Sequence, residues 1–208
     1  MSPRTLTAAI LAFGVLSAGA EPAPAASGPL DVVKNSTERV IAIVKDPTLK
    51  APGKEEERRQ KMIAIIDEGF NWEAMARRSL GRHWRTLTDE QRARFVALFT
   101  ELIRGTYMGR VEAYTSEKVF YRGERIDGDY ARVTVDILSV NNNLIPVVYS
   151  MKRYDGRWLV YDLAIEGVKI VNNYRRQFDS ILGRQSFDGL LKRIETTIAN
   201  REKRRKKG

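Results

Sequence analysis

Few residues of this 208-residue chain combine the type and spacing that covalent chemistry needs. His83 is the one histidine, set in Gly81-Arg82-His83-Trp84-Arg85, and any Ser–His–Asp arrangement would have to use it. Its neighbours Trp84 and Arg85 suit packing and surface pairing better. A zinc hydrolase normally needs three protein ligands with several His or Cys among them, and this chain has one His and no Cys. The lack of cysteine also removes disulfides and thiol nucleophiles. Carboxylates stand at Asp127, Asp129, Asp136, Asp162 and Glu166. Asp127 and Asp129 flank Gly128 and are explained by turn chemistry. Asp162 and Glu166 close an apolar run, where a pair could do acid–base work if a polar cleft converged on them. Tyr121-Arg122-Gly123-Glu124 is not a phosphate-cradling loop, and no P-loop or dinucleotide fingerprint occurs. These residues point away from an enzyme, a resident cofactor or a metal. What the chain carries in excess is apolar surface on its helices and strands.

The elements that would position that surface follow from periodicity. Residues 1–20 read as a signal peptide: Arg4 gives a positive start, Ala8 to Leu16 is an apolar run, and Ala18-Gly19-Ala20 offers small residues for cleavage. The run is short of the ~20 residues a membrane span needs. Export to the periplasm is the expectation that follows. Residues 21–29, with Pro22, Pro24, Ser27 and Gly28, read as a flexible lead-in, and residues 30–200 as a single domain. Apolar residues at Leu30, Val33, Val40, Ile41 and Val44 have helical spacing, broken by Pro47, Pro52 and Gly53. A second helix starts near Lys54 and turns apolar at Met62, Ile63, Ile65 and Ile66. Asn71 can cap a third that stops near Gly81. Thr88-Asp89-Glu90-Gln91 is a capping box ahead of a long helix with Phe95, Leu98, Phe99, Leu102, Ile103, Tyr107 and Val111 on one broad face. That helix is expected to cover whatever large apolar surface follows.

The period changes to two after Tyr114. Ala131, Val133, Val135 and Ile137 alternate with Arg132, Thr134 and Asp136, so one face is apolar and the other wet. Asp127-Gly128, Asn141-Asn142-Asn143 and Asp155-Gly156 are turn signals between strands. The run Trp158 to Ile165 is apolar on both faces. Asn173 to Leu182 and Leu190 to Ile198 read as closing helices. The expected class is α+β: a four-stranded or slightly larger curved antiparallel sheet packed against several helices.

Composition is that of a folded domain, 43% hydrophobic and 30% charged. The net charge of +10 is uneven, because Arg201 to Gly208 holds six Lys or Arg and one Glu, half of the surplus. Residues 201–208 read as a basic, disordered, solvated tail. It contains no aromatic residue, which argues against nucleic acid as a partner, and leaves at most a loose attraction to anionic headgroups that would keep the chain transiently near a membrane.

Four segments together resemble the MlaC, or toluene-tolerance, family of periplasmic lipid-binding proteins. They are Phe70-Asn71-Trp72-Glu73-Ala74-Met75-Ala76 with Leu80-Gly81-Arg82-His83-Trp84; Thr88 through Phe99 with Tyr107; Pro146 to Tyr149 with Asp155 to Asp162; and Ile165-Glu166-Gly167-Val168 with Asn173-Tyr174-Arg175 and Gln177-Phe178. Their order and spacing cover about residues 30–195. Lys169, where family members often carry Ser, and the basic tail depart from the pattern. The resemblance implies an apolar cavity between sheet and helices, phospholipid as cargo, and no catalytic residue. It further implies a shuttle between an inner-membrane ABC transporter complex and an outer-membrane lipoprotein complex, which maintains outer-membrane lipid asymmetry. Parity and helical face select Leu98, Leu102, Met108, Val111, Val133, Val135, Ile137, Val147, Tyr149 and Met151 as residues that either fill a solid core or line that cavity. Arg175 and Arg176, beside Tyr174, suit a headgroup phosphate, an acidic patch on a partner, or plain solvation. Two other readings fit the residues: a lipid-independent periplasmic adaptor with a filled core, and a binder of hopanoid or another lipid.

Overall fold

Most of the helices start where a side chain accepts one of the first backbone N–H groups or a proline removes one. The computed structural model describes residues 27–113, 118–139 and 141–205, so the expected signal peptide lies outside the described residues. Helix α1 (Pro29–Lys45) opens with proline in its first turn, and Asp31 accepts a hydrogen bond from Gly28 N. Its Leu30 N–H donates to Glu124 Oε2 at 2.6 Å, so a carboxylate from the sheet caps the helix. Helix α2 (Glu55–Gly69) begins with three glutamates at the positive end of its dipole. Asn71 Oδ1 accepts from Ala74 N at 2.8 Å and starts α3 (Trp72–Leu80). A 3-10 turn (Gly81–Thr86) leads to α4 (Asp89–Glu112). There the capping box forms in both directions: Gln91 N donates to Thr88 Oγ1, and Thr88 N donates to Gln91 Oε1.

The sheet is an antiparallel meander of β1 (Lys118–Asp127), β2 (Tyr130–Leu138), β3 (Leu144–Tyr154), β4 (Arg157–Ile165) and the two-residue β5 (Val168–Lys169). Strand β5 adds a short fifth member to the four strands read from the sequence. The β3–β4 connection has positive φ at both Asp155 and Gly156, the tight hairpin geometry that an Asp-Gly pair favours. Ala131, Val133, Val135 and Ile137 stand opposite Met151, Tyr149, Val147 and Ile145, so the apolar residues of β2 and β3 share one face. Strand β4 joins that face in two pieces. Its register against β3 shifts between Ser150 and Met151, which leaves Tyr161 as an extra residue. Val160 therefore pairs with Met151 on one side of the bulge and Leu163 with Tyr149 on the other. This parity change explains why β4 reads as apolar on both faces.

Helix α5 (Ile170–Leu182) and α6 (Phe187–Arg205) complete the fold. Two sequence expectations need correction. The tail expected to be disordered from Arg201 is helical as far as Arg205. Arg201 Nη1 donates to Leu102 O at 3.1 Å and to Thr106 Oγ1 at 2.5 Å, and Arg205 pairs with Glu56 at 2.8 Å. Partners on α4 and α2 hold the last turns that a charge run alone would leave in solvent. The second correction concerns α4, which packs chiefly against α3 and α6, while α1 lies on β1 and β2. The phenylalanines of α4 explain its placement: Phe95 and Phe99 sit within 6.3 Å of Phe178, ring centroid to centroid, and draw the helix into an aromatic core with α5.

The buried apolar residues form three clusters. The largest is helical, built from α3 to α6 around Met75, Phe95, Phe99, Phe178 and Leu190. A second joins Val33 of α1 to Ala131, Val133, Val135, Met151, Trp158 and Val160 of the sheet. A third gathers Val44, Met62 and Met108 from α1, α2 and α4. No helix among the described residues is long and apolar enough to cross a membrane.

Candidate functional site

The sheet's apolar face is closed at one end and incompletely covered at the other. Beside the Asp127-Gly128 and Asp155-Gly156 turns, Ala131, Met151, Trp158 and Val160 are buried beneath Val33 and Phe70. Toward the Asn141–Asn143 turn the same face carries Val119, Tyr121, Ile137, Ile145, Tyr149, Leu163 and Ile165, all only half-buried. Val135 and Val147, 1% and 6% exposed, mark the boundary between the two ends. Leu163 and Ile165 touch the helical core, and the other band residues whose contacts are recorded lean on the sheet–α1 cluster, but none of the seven is fully covered. The result is an apolar band that borders the helical and the sheet–α1 clusters.

The ten residues selected from sequence divide among the three clusters. Val133, Val135, Ile137, Tyr149 and Met151 lie together in or against the sheet–α1 cluster, and Val147 shares their face. Leu102 is buried in the helical core and Leu98 packs against that core. Met108 belongs to the α1–α2–α4 cluster, with Val111 against it. The structure thus unites the six strand residues and separates the four helical ones. Sequence reasoning missed Tyr121, Leu163 and Ile165 on the band. Tyr121 is opposite Val135, and Ile165 opposite Val147. Bulges at Tyr121/Gly123 and at Tyr161 disturb the simple alternation that would have revealed them.

Polar groups are sparse on this face. Tyr149 is half-buried, and desolvation, with a smaller contribution from nearby Tyr121, pushes its phenol up to about 12. Two open depressions on the surface lie elsewhere. One, between α5 and α6, is bordered by Arg176, Gln177 and Arg193; the other, at the start of α1, by Asp31, Arg39 and Glu68. None of the ten predicted apolar residues lines either.

The remaining candidates have structural partners. Arg175 is exposed, and its Nε donates to Arg78 O at 2.9 Å, tying α5 to α3. Arg176 is exposed beside the α5–α6 depression. His83 Nε2 lies 2.8 Å from Asp179 Oδ1, which Arg82 also reaches at 2.9 Å. The hydrogen bond from His83, then desolvation and the charge of Arg82, set the Asp179 carboxyl, with a net downward shift. Asp162 is 8% exposed, and its Oδ1 accepts from Val171 N at 3.0 Å in the first turn of α5. Burial raises its carboxyl, and the hydrogen bond from Val171 opposes that shift. Glu166 sits exposed in the β4–β5 turn at φ 50°, so the two carboxylates serve a helix start and a turn. Among the described residues no three His, Cys, Asp or Glu are grouped to hold a metal ion.

The fold is similar to that of a phospholipid-binding protein from Ralstonia solanacearum solved in complex with a phospholipid. The TM-score is 0.71, with 24% identity, over 82% of this chain and 97% of that one. At that identity the likeness concerns the fold. The chain also resembles the intermembrane phospholipid transport system binding protein MlaC of Haemophilus influenzae. They are 27% identical over 135 residues, 62% of this chain and 63% of the relative, so the match spans less than two thirds of the relative's length. Residues 34–196 match the MlaC protein family, and the chain belongs to that family.

Proposed function

We propose that this chain is a periplasmic carrier that takes phospholipid acyl chains onto the half-buried apolar band of its sheet. On this reading it exchanges lipid with an inner-membrane ABC transporter complex and an outer-membrane lipoprotein complex. The observation that carries the reading is the band itself: Tyr121, Ile137, Tyr149, Leu163 and Ile165 share the inner face yet stay only half-buried, although Leu163 and Ile165 touch the helical core. Family membership, the phospholipid-transport name of the Haemophilus relative and the phospholipid bound to the Ralstonia protein support it.

The energetics of such a carrier need no reactive group. Two acyl chains hold on the order of 30 methylenes, and at ~0.8 kcal/mol each their exposure to water is prohibitive. In a donor bilayer the chains are already dry. Transfer from bilayer to band is therefore near neutral, and direction is left to the partners at either end. The carboxylates and the histidine then need no catalytic duty, consistent with the partners that Asp162 and His83 already have.

Native mass spectrometry of protein purified from a membrane-containing lysate tests the reading. A co-purified diacyl phospholipid is the expected result. Lipid-free protein that also fails to load from vesicles would sink it.

A further inference from the structure

We infer that the Tyr149 hydroxyl donates a hydrogen bond to an ester carbonyl of the bound lipid, and so selects ester-linked glycerolipid over an apolar ligand of similar size. The inference rests on the carrier reading above and adds to it a polar contact inside the apolar band.

Position comes first. Tyr149 lies near the middle of β3, the central strand of the sheet, between Val133 on β2 and Leu163 on β4. Val147 and Met151 precede and follow it on the same face, so the ring stands on a largely aliphatic floor with Tyr121 near it. A tyrosine taken out of water normally finds a partner for its hydroxyl. Tyr174 does so, with its hydroxyl 3.3 Å from Thr106 Oγ1. Tyr149 makes no hydrogen bond to any described residue. Nor is its oxygen among the sealed, unpartnered atoms of the described side chains, which are Arg58 Nε and Arg104 Nε. The hydroxyl is therefore neither sealed nor bonded within the protein, on a half-buried residue in an apolar setting, and is free to donate to an acceptor that reaches the band.

The surroundings decide which acceptor. A phosphate would bring a full charge against the aliphatic floor, where the residues of β2, β3 and β4 flanking Tyr149 offer no cation. An ester carbonyl is neutral, accepts one hydrogen bond, and sits where the acyl chains begin. Desolvation keeps the phenol protonated up to about 12, so it remains a donor at any physiological pH.

The test compares two synthetic phospholipids with the same headgroup and chain length, one diacyl and one dialkyl, which lacks the carbonyls. Intact protein is loaded from equimolar mixed vesicles, and the bound ratio is read by native mass spectrometry. The wild-type protein should favour the diacyl lipid by roughly five- to tenfold, the worth of one neutral hydrogen bond. Tyr149→Phe should bring the ratio near one, with diacyl loading falling more than dialkyl loading. A wild-type ratio near one overturns the inference, and that readout does not depend on the variant folding. Equal loss of both lipids from Tyr149→Phe overturns it too, because the hydroxyl would then serve the headgroup or the fold. If wild-type protein loads neither lipid, the carrier reading itself fails.

Discussion

Two tyrosines show how differently the helical layer and the sheet are finished. Tyr174 of α5 is 7% exposed, its ring set edge-on to Phe99 at 5.8 Å, and its hydroxyl has Thr106 as partner. Around it Phe95, Phe99 and Phe178 make a mutually packed aromatic group. Tyr149 of β3 is half-buried, strongly desolvated and without a hydrogen-bond partner among the described residues. The first environment is that of a solid core. The second is incomplete by the same standards, since a native interior normally closes its voids and pairs its polar groups. Stability and ligand capacity are thus assigned to different layers of one domain, and substitutions should separate them.

The largest effect should come from emptying the helical layer. Phe99→Ala removes a fully buried ring with aromatic neighbours on α4 and α5 and should destabilise the protein by about 3–5 kcal/mol in urea unfolding. Because Phe99 is fully buried among the aromatic residues of the helical cluster, the protein that remains folded should load lipid as before. Loss of loading without loss of stability would erase the distinction between the layers.

Within the sheet, two substitutions two residues apart sharpen the comparison. Val135 is 1% exposed, and a tryptophan there overpacks the sheet–α1 cluster at a cost of about 1–3 kcal/mol. Ile137 lies on the same face but is half-buried. Ile137→Trp should leave the melting temperature within a few degrees of wild type while lipid occupancy falls, since the indole takes up space that acyl chains need. Equal destabilisation by both changes would mean that the band is filled core, as an adaptor would have.

A smaller effect is expected at the C-terminus. Ending the chain after Asn200 removes Arg201 and its bonds to Leu102 O and Thr106 Oγ1, as well as the Arg205–Glu56 pair. The ion pair is half exposed on both sides and contributes little. The buried end of Arg201 accounts for most of the expected loss, about 1–2 kcal/mol. An unchanged melting temperature would return residues 201–208 to the status of a solvated tail.

What could be read from sequence was local. Thr88 with Gln91, Asn71 before its helix, and Asp155-Gly156 between strands each act within a few residues, and each appears where its chemistry demands. The alternation from Ala131 to Ile137 was legible for the same reason. Long-range matters were not. Both α1 and α4 carry apolar faces, and nothing local states which will lie on the sheet. Leu98 and Leu102 were therefore grouped with Val135, from which the fold separates them. The bulge at Tyr161 shifts parity by one residue, so Leu163 and Ile165 were hidden in a run apolar on both sides. Arg201 read as one charge among six, because a guanidinium's carbonyl acceptors on another helix leave no trace in its own segment.

The least disruptive change, Asp162→Asn, tests whether the carboxylate at the β4 end is structural. Burial raises its folded-state value above the ordinary 3.8, against the opposing hydrogen bond from Val171 N. The folded protein then holds the proton at pH values where the unfolded chain has released it. Unfolded protein binds fewer protons in that window, so stability falls as pH rises through it from about 4 and levels off once the folded carboxyl has ionised. Asn keeps an oxygen acceptor for Val171 N and removes the charge. At neutral pH the variant should match or slightly exceed wild type, by less than about 1 kcal/mol, and the fall on leaving acid should flatten. Urea unfolding between acid and neutral pH reads both quantities. A variant much weaker at neutral pH would show that the negative charge itself holds the start of α5, and one with the wild-type pH slope would show that another group carries the pH dependence.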